Sequence, residues 1–371
     1  MKLALRELRR RPGRFAAAGG ILTLIALLLM FLGGLLDGLL RSSTGAVRSL
    51  DADVLVFSSS AENAFLRSRI DPQLRARVAA VDGVAEVAGI GVVQLGARVE
   101  GRGARDLLDV ALFGLEAPPA GLDRLPGPGE AIADETLADR GVTTGMVLEI
   151  GPARSPVTVV GFVADSAYLG QAALWTEPST WRTVLTANRP DQRLADDVFQ
   201  SLQVRAEPGV DPVALAAAVD EATGGATVSL TVQLAADTLP GVREQRSTFN
   251  QIIGVTVVIA VVVVALFFAL STIERAGLYG VLKAVGARSS TLFGGLVTQA
   301  VVLTLLAGIV AGSLAVALDA AIPPGSVPLR ISAGRLVTSL AYLVVAAVIG
   351  CAFSLRRVLR IDPASAIGSS S

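Results

Sequence analysis

Histidine is absent from all 371 residues, and cysteine occurs once, as Cys351. The first absence excludes a hydrolase built on an imidazole base and a zinc site with imidazole ligands. The second excludes a disulfide, so any domain outside the cytoplasm must be held by its own core. No Gly-x-x-x-x-Gly-Lys-Ser/Thr phosphate loop occurs, so energy from ATP would have to come through another polypeptide. Aspartates and glutamates are scattered, which reads as a solvated surface. No catalytic residue and no metal site is assigned.

Charge is missing from four long apolar runs, Phe15–Leu36, Ile252–Leu270, Leu292–Leu318 and Leu336–Leu355. A buried helix of a soluble domain keeps a polar stripe, whereas these are apolar all round. Roughly 20 such residues at 1.5 Å rise span a bilayer core. They are therefore read as membrane helices, split one plus three around about 209 residues of polar sequence. No span holds an internal charge pair or a polar row suited to an aqueous pore. Gly19, Gly20, Gly33 and Gly34 are expected to let the first helix pack closely.

Arginine and lysine gather at one set of span ends. Lys2, Arg6, Arg9, Arg10, Arg11 and Arg14 against Glu7 give +5; Arg275, Lys283 and Arg288 against Glu274 give +2; Arg356, Arg357 and Arg360 against Asp362 give +2. With a net charge of zero overall, residues 41–249 carry −9. The positive-inside bias then places both termini in the cytoplasm of a bacterial cell membrane and the acidic region outside. An acidic exterior argues against nucleic-acid binding, while the basic margins suit anionic membrane lipid. Gly33-Gly34-Leu35-Leu36 leads to no small-residue cleavage site, so the first span reads as a retained helix and not a signal peptide.

The expected organisation is a basic helix with the first span (1–40), an exterior α+β domain (41–249), the second span (250–270), a cytoplasmic segment (271–290), the third span (291–318), a short outer loop (319–335), the fourth span (336–355) and a cytoplasmic tail (356–371). In the exterior region Asp53–Phe57 reads as a strand. Asp71 caps a helix opened by Pro72, with Leu74, Val78 and Val81 on one face and Gly83 as its stop. Val84–Val92 reads as a strand and Asp134–Arg140 as a helix ended by Gly141. Met146–Ile150 and Val157–Val163 form a hairpin. Leu202–Val204 is a strand, Asp211-Pro212 caps and opens the helix Val213–Ala222, Gly224-Gly225 ends it, and Ala226–Val232 returns as a strand. The recurrence suggests lobes on small sheets. Pro118, Pro119, Pro126 and Pro128, interleaved with glycines, mark a loop between them. Tyr168, Trp175 and Trp181 are the aromatic concentration, read as core or lobe interface before contact site. Pro178-Ser179-Thr180-Trp181 is a helix start.

The segment after Leu270 meets water at Glu274 and Arg275. It then sets Leu278, Val281, Leu282 and Val285 on one side, and Gly286 ends it. Such a stub lies along the interface or docks in a groove of a cytoplasmic protein.

Its sequence, Ser271-x-x-Glu274-Arg275 followed by Gly280-x-Leu282-Lys283-Ala284-x-Gly286-Ala287, resembles the signature of the FtsX/MacB-type permeases of ABC transporters. That family usually has a glutamate and an isoleucine where this chain has Leu278-Tyr279. The basic stretch Ala4–Phe15, the tail Arg360-Ile361-Asp362-Pro363 and the exterior stretch Ile132–Ala138, continuing through Gly145 to Val160-Gly161, resemble the family as well, with Met146 replacing a common aspartate. Arg6-Glu7-Leu8-Arg9, Pro12-Gly13-Arg14-Phe15, Asp53–Phe57 and the tail resemble the compact DevC/HrtB branch, which includes haem exporters.

The resemblance implies a non-catalytic permease, present as two copies with two ATPase subunits that bind ATP-Mg. Closure of the ATPases would push on 271–290, with Glu274, Arg275, Leu278, Leu282 and Lys283 at the contact and Gly286 as a turn. It implies export of a hydrophobic or amphipathic substrate, haem among them, taken laterally from the membrane. Without histidine, haem iron would be held by methionine, tyrosine or carboxylate. Met30, Phe31 and Asp37 on the first span and Arg243, Glu244 and Arg246 before the second are the candidate substrate pocket. The alternatives are a mechanical regulator of a cell-wall hydrolase and a permease that extrudes lipoprotein or lipid.

Overall fold

The computed structural model describes residues 12–101, 107–274, 285, 289–322 and 327–358. Along the chain, helix α1 (Pro12–Arg48) leads to strand β1 (Val54–Ser58), helix α2 (Pro72–Ala79) and strands β2 (Val84–Val99), β3 (Leu107–Leu115) and β4 (Glu130–Asp134). Helix α3 (Thr136–Asp139), strands β5 (Val147–Ile150), β6 (Ser155–Val163) and β7 (Ala172–Thr176) and helix α4 (Pro178–Asn188) follow. Strand β8 (Ser201–Ala206), helix α5 (Pro212–Ala222), strand β9 (Thr227–Thr231) and helix α6 (Val232–Asp237) lead to the long helices α7 (Val242–Ile273), α8 (Ser289–Ala321) and α9 (Ala333–Val358).

Four of these, α1, α7, α8 and α9, are long and apolar enough to cross a membrane. The protein is thus a one-plus-three helical membrane protein with a mixed α+β domain between its first two spans. By contact the chain forms two compact units: a helix unit of Met1–Gly38, Ser247–Pro323 and Leu329–Ser371, and a sheet unit of Leu39–Arg246 with Pro324–Pro328.

In the helix unit the core is built of small and medium side chains: Ala26, Leu29, Met30, Ala260, Ala311, Ala315, Leu343 and Ala346 form one buried cluster. Small residues let helices approach where no hydrophobic gain separates helix from lipid. At Gly350 an added Cβ would lie 2.8 Å from the Val261 carbonyl oxygen, and at Gly34 it would lie 2.7 Å from Ile331 Cδ1. Gly20 departs from expectation, with nothing within 4 Å. Outward, α7 exposes Ile252, Val255, Ile259, Val262, Leu266 and Leu270 along its length. An unbroken apolar stripe of that kind is at home in hydrocarbon.

The sheet unit is one nine-stranded sheet, and this corrects the expectation of lobes on small sheets. Six strands close a ring, β2–β3–β7–β4–β6–β5 and back to β2. The pairs β3/β7 and β4/β6 are parallel. Closure gives each of these six strands a neighbour on both sides, so none of them is an edge strand. Alternate residues fill the ring: Val93, Leu95, Ala97 and Val99 of β2, Leu108, Val110 and Leu112 of β3, Leu148 and Ile150 of β5, and Leu174 of β7. The first half of β2 instead pairs with β8, which extends the sheet through β1 to β9. Helices α2 and α5 cover one face of that extension, burying Leu74, Val78, Leu215 and Val219 on Val54, Val56, Leu202 and Val204.

The helix starts follow their caps. Asp71 accepts from Leu74 N at 2.7 Å and Asp211 accepts from Val213 N and Ala214 N, each just before a proline at the first turn. Strand β2 runs on to Val99 instead of stopping at Val92, because its alternation continues into the ring. The Asp134–Arg140 helix shrinks to the single turn α3, since Asp134 ends β4 and lies buried. The Pro/Gly stretch 118–129 joins β3 to β4 within the same sheet and does not separate lobes. Tyr168, Trp175 and Trp181 are all core, at 3 %, 0 % and 0 % exposure.

Candidate coupling and substrate sites

Met30, Gly33 and Asp37 recur at i, i+3 and i+7 and share one face of α1. Met30 is buried, with Sδ and Cε both 4.0 Å from where a Cβ on Gly312 would stand. Phe31, beside it, is half-buried. One turn along, a Cβ on Gly33 would overlap the Arg335 side chain. Arg335 donates from Nε to Asp37 Oδ2 at 2.8 Å and from Nη2 to Oδ1, a bidentate pair. Arg330 N donates to Gly34 O at 3.1 Å, fixing the segment before α9 against the same turn of α1. The paired side chains are 20 % and 27 % exposed, so the pair is neither dry nor fully solvated. Arg335 was not among the residues the sequence singled out. Its signal was available: it is a cation at the start of the fourth apolar run, at the end opposite the Arg356, Arg357 and Arg360 cluster.

The other three candidate pocket residues lie in the sheet unit, in the first turns of α7. Arg243 and Glu244 are exposed, and Arg246 pairs with Asp237 at 2.6 Å, tying α6 to α7. In the helix unit an apolar cavity of about 410 Å³ is lined by Ala17, Ile21, Leu22, Val263, Phe267 and Leu270. It lies toward the start of α1 and the end of α7, away from Met30 and Asp37 along α1.

At the end of α7, Thr272 is buried and its hydroxyl donates to Phe268 O at 2.7 Å, while Glu274 N donates to Leu270 O at 3.1 Å. Glu274 is exposed. Arg275, Leu278, Leu282, Lys283 and Gly286 lie outside the described residues.

A joint in the sheet unit carried no signal of its own in the sequence. Asp134, 1 % exposed, accepts from Ser166 N and Ser166 Oγ at 2.8 Å each and from Thr136 N at 3.0 Å. Its second bond to Thr136, from the hydroxyl, completes a set of four donors. A buried carboxylate is stable only when satisfied in this way. The loop that Asp134 holds is in turn bonded to the last turns of α1: Ala46 N donates to Ala167 O at 2.9 Å, Leu169 N to Ser43 O at 3.0 Å and Gly170 N to Ser42 O at 2.9 Å. Gly45 permits the approach, since a Cβ there would overlap the Asp165 carbonyl. Asp165 and Leu169 take φ of 52° and 49°, a conformation that costs most residues energy and persists here under those bonds.

Comparison with known proteins adds what geometry leaves open. The family described as MacB-like periplasmic core domain matches residues 15–222, and the one described as FtsX-like permease C-terminal matches residues 250–363. An uncharacterised ABC transporter permease of Mycobacterium tuberculosis is 29 % identical, with 98 % of each chain covered. A putative hemin transport system permease protein, HrtB, of Staphylococcus haemolyticus is 24 % identical over 132 residues, 36 % of this chain and 37 % of that one. Among solved structures, the periplasmic region of MacB from Actinobacillus actinomycetemcomitans aligns with a TM-score of 0.35 at 12 % identity, covering 53 % of this chain and 96 % of that one.

Proposed function

The chain belongs to the MacB/FtsX family of ABC transporter permeases, and from that premise we propose that it exports a hydrophobic or amphipathic substrate, haem being the first to test. As a permease of this family it is a non-catalytic membrane subunit. ATP-Mg is bound and hydrolysed by a separate cytoplasmic ATPase, two copies of which meet two copies of this chain in a closed two-fold assembly. Both termini and the segment 271–290 face the cytoplasm, and the sheet unit faces outward.

The observation that carries this reading is the continuity of two helices. Both α1 (Pro12–Arg48) and α7 (Val242–Ile273) run unbroken from residues of the helix unit into residues of the sheet unit. A push delivered at Glu274, Arg275 and Lys283, with Leu278 and Leu282 seated in an ATPase groove and Gly286 turning the chain, enters the continuous helix α7. The haem reading is supported by the partial likeness to a putative hemin permease and by the chemistry of Met30, Phe31, Asp37, Arg243, Glu244 and Arg246. With Met30 buried against Gly312 in the helix unit, haem would reach its sulfur only after α1 parts from its neighbours.

The test is the ATPase activity of the complex reconstituted in lipid with its cognate ATPase. Haemin should stimulate hydrolysis, and Glu274→Ala or Lys283→Ala should abolish the stimulation while leaving membrane insertion intact. Stimulation that survives both substitutions removes the coupling assignment. Indifference to haemin together with binding of a wall hydrolase to the sheet unit would favour the regulatory reading.

A further inference from the structure

The pair formed by Asp37 and Arg335 has three features that a plain structural bridge does not need together. It is partly open to solvent, at 20 % and 27 % exposure. It stands directly above an apolar face: on α1, Gly33 carries the Arg335 stem, and Met30 lies against Gly312 one further turn below. It also joins α1 to the first turn of α9, where the Arg330 N to Gly34 O bond of 3.1 Å adds a second polar tie to the same turn of α1. A guanidinium fork engaged by one carboxylate is already shaped for another.

We propose that Arg335 is the anion-recognition residue of the substrate path, and that the carboxylate of an amphipathic substrate takes the place of Asp37. This rests on the export reading above. The exchange keeps the guanidinium paired throughout, passes the displaced Asp37 carboxylate, already 27 % exposed in the pair, to water, and frees α1 from α9. The apolar body of the ligand would then extend from Asp37 toward Met30, seven residues or about 10 Å along the helix. Arg335 thereby selects for a carboxylate on an apolar body, and its displacement from Asp37 couples binding to opening.

Spin labels at Leu35→Cys and Val337→Cys in a Cys351→Ala background, with the full chain in lipid nanodiscs, read the separation of the two helices. Dodecanoate and haemin should lengthen the distance, whereas dodecanol and haemin dimethyl ester should not. Asp37→Asn should show the longer distance without ligand. Arg335→Lys keeps the charge but loses the fork, and should need at least about tenfold more dodecanoate. The proposal fails if neutral analogues act as well as carboxylates, if no carboxylate moves the distance, or if Arg335→Lys responds like the parent. Haemin that binds by its absorbance without moving the labels leaves haem export standing and removes the exchange. A response to dodecanoate with no binding of haemin does the reverse.

Discussion

Asp37 and Arg335 stand 298 residues apart and meet in a bidentate ion pair that joins the end of the first membrane span to the start of the last. Removing one partner leaves a partly desolvated charge at the bilayer margin. Asp37→Ala or Arg335→Ala should each lower stability by about 2 kcal/mol, between the values for surface and buried pairs. The exchanged pair Asp37→Arg with Arg335→Asp should recover part of the loss. Thermal unfolding in nanodiscs measures this, and equal losses in the single and exchanged variants would show that the pair contributes nothing.

Asp134 is the keystone of the joint between β4 and the loop bonded to α1. Asp134→Ala strands the Ser166 N–H and hydroxyl in a buried site and should cost about 3 kcal/mol. Proteolysis should then cut first in the loop 164–170. Denaturation of the purified variant gives the energy and mass spectrometry of the fragments gives the site.

Gly91 and Gly114 face each other in the β2/β3 register, and a Cβ on either would overlap the Trp181 ring. Gly89 is equally close to the ring of Phe199, which stacks on Trp181 at a centroid distance of 6.2 Å. Arg182 lies 5.0 Å from the Trp181 ring and 4.8 Å from the Phe199 ring. Gly114→Ala should therefore expel Trp181 from the end of the ring and destabilise the unit by about 1–3 kcal/mol. A red shift of tryptophan emission would report it, while unchanged emission and stability would mean that the seat has slack.

How much of this was legible in sequence depended on the range of the signal. The membrane helices, the caps at Asp71 and Asp211 and the hairpin of β5 and β6 rest on neighbours in sequence, and all were readable. The closed ring was not, because it depends on parallel pairings between strands far apart, β3 with β7 and β4 with β6. Strand β7, Ala-Ala-Leu-Trp-Thr, is buried on both faces and shows no alternation to betray it. Asp134 reads locally as the first residue of the helix Asp134–Arg140, because Asp-Glu-Thr-Leu-Ala suits a helix start, while its actual donors include Ser166, 32 residues on. At the candidate site Asp37 was readable as a charge at a span end. Its partner, nearly the whole chain away, had no local mark except its sign.

Burial pushes the Tyr168 phenol above its ordinary value of 10.0. The neutral form is favoured in the fold, so above about pH 10 the unfolded chain holds fewer protons than the folded one and stability falls as pH rises. Below that pH the phenol contributes no pH dependence. Alkaline titration should show a late tyrosine that is missing in Tyr168→Phe, and a variant that titrates like the parent would contradict the burial of this phenol.

Export by the proposed route requires a chain that crosses the bilayer four times and leaves its sheet unit outside. A single cysteine at exposed Thr144, in a Cys351→Ala background, tests this in intact cells with a membrane-impermeant maleimide. Labelling without permeabilisation is the expected result, and labelling only after the membrane is breached would contradict an outward-facing sheet unit.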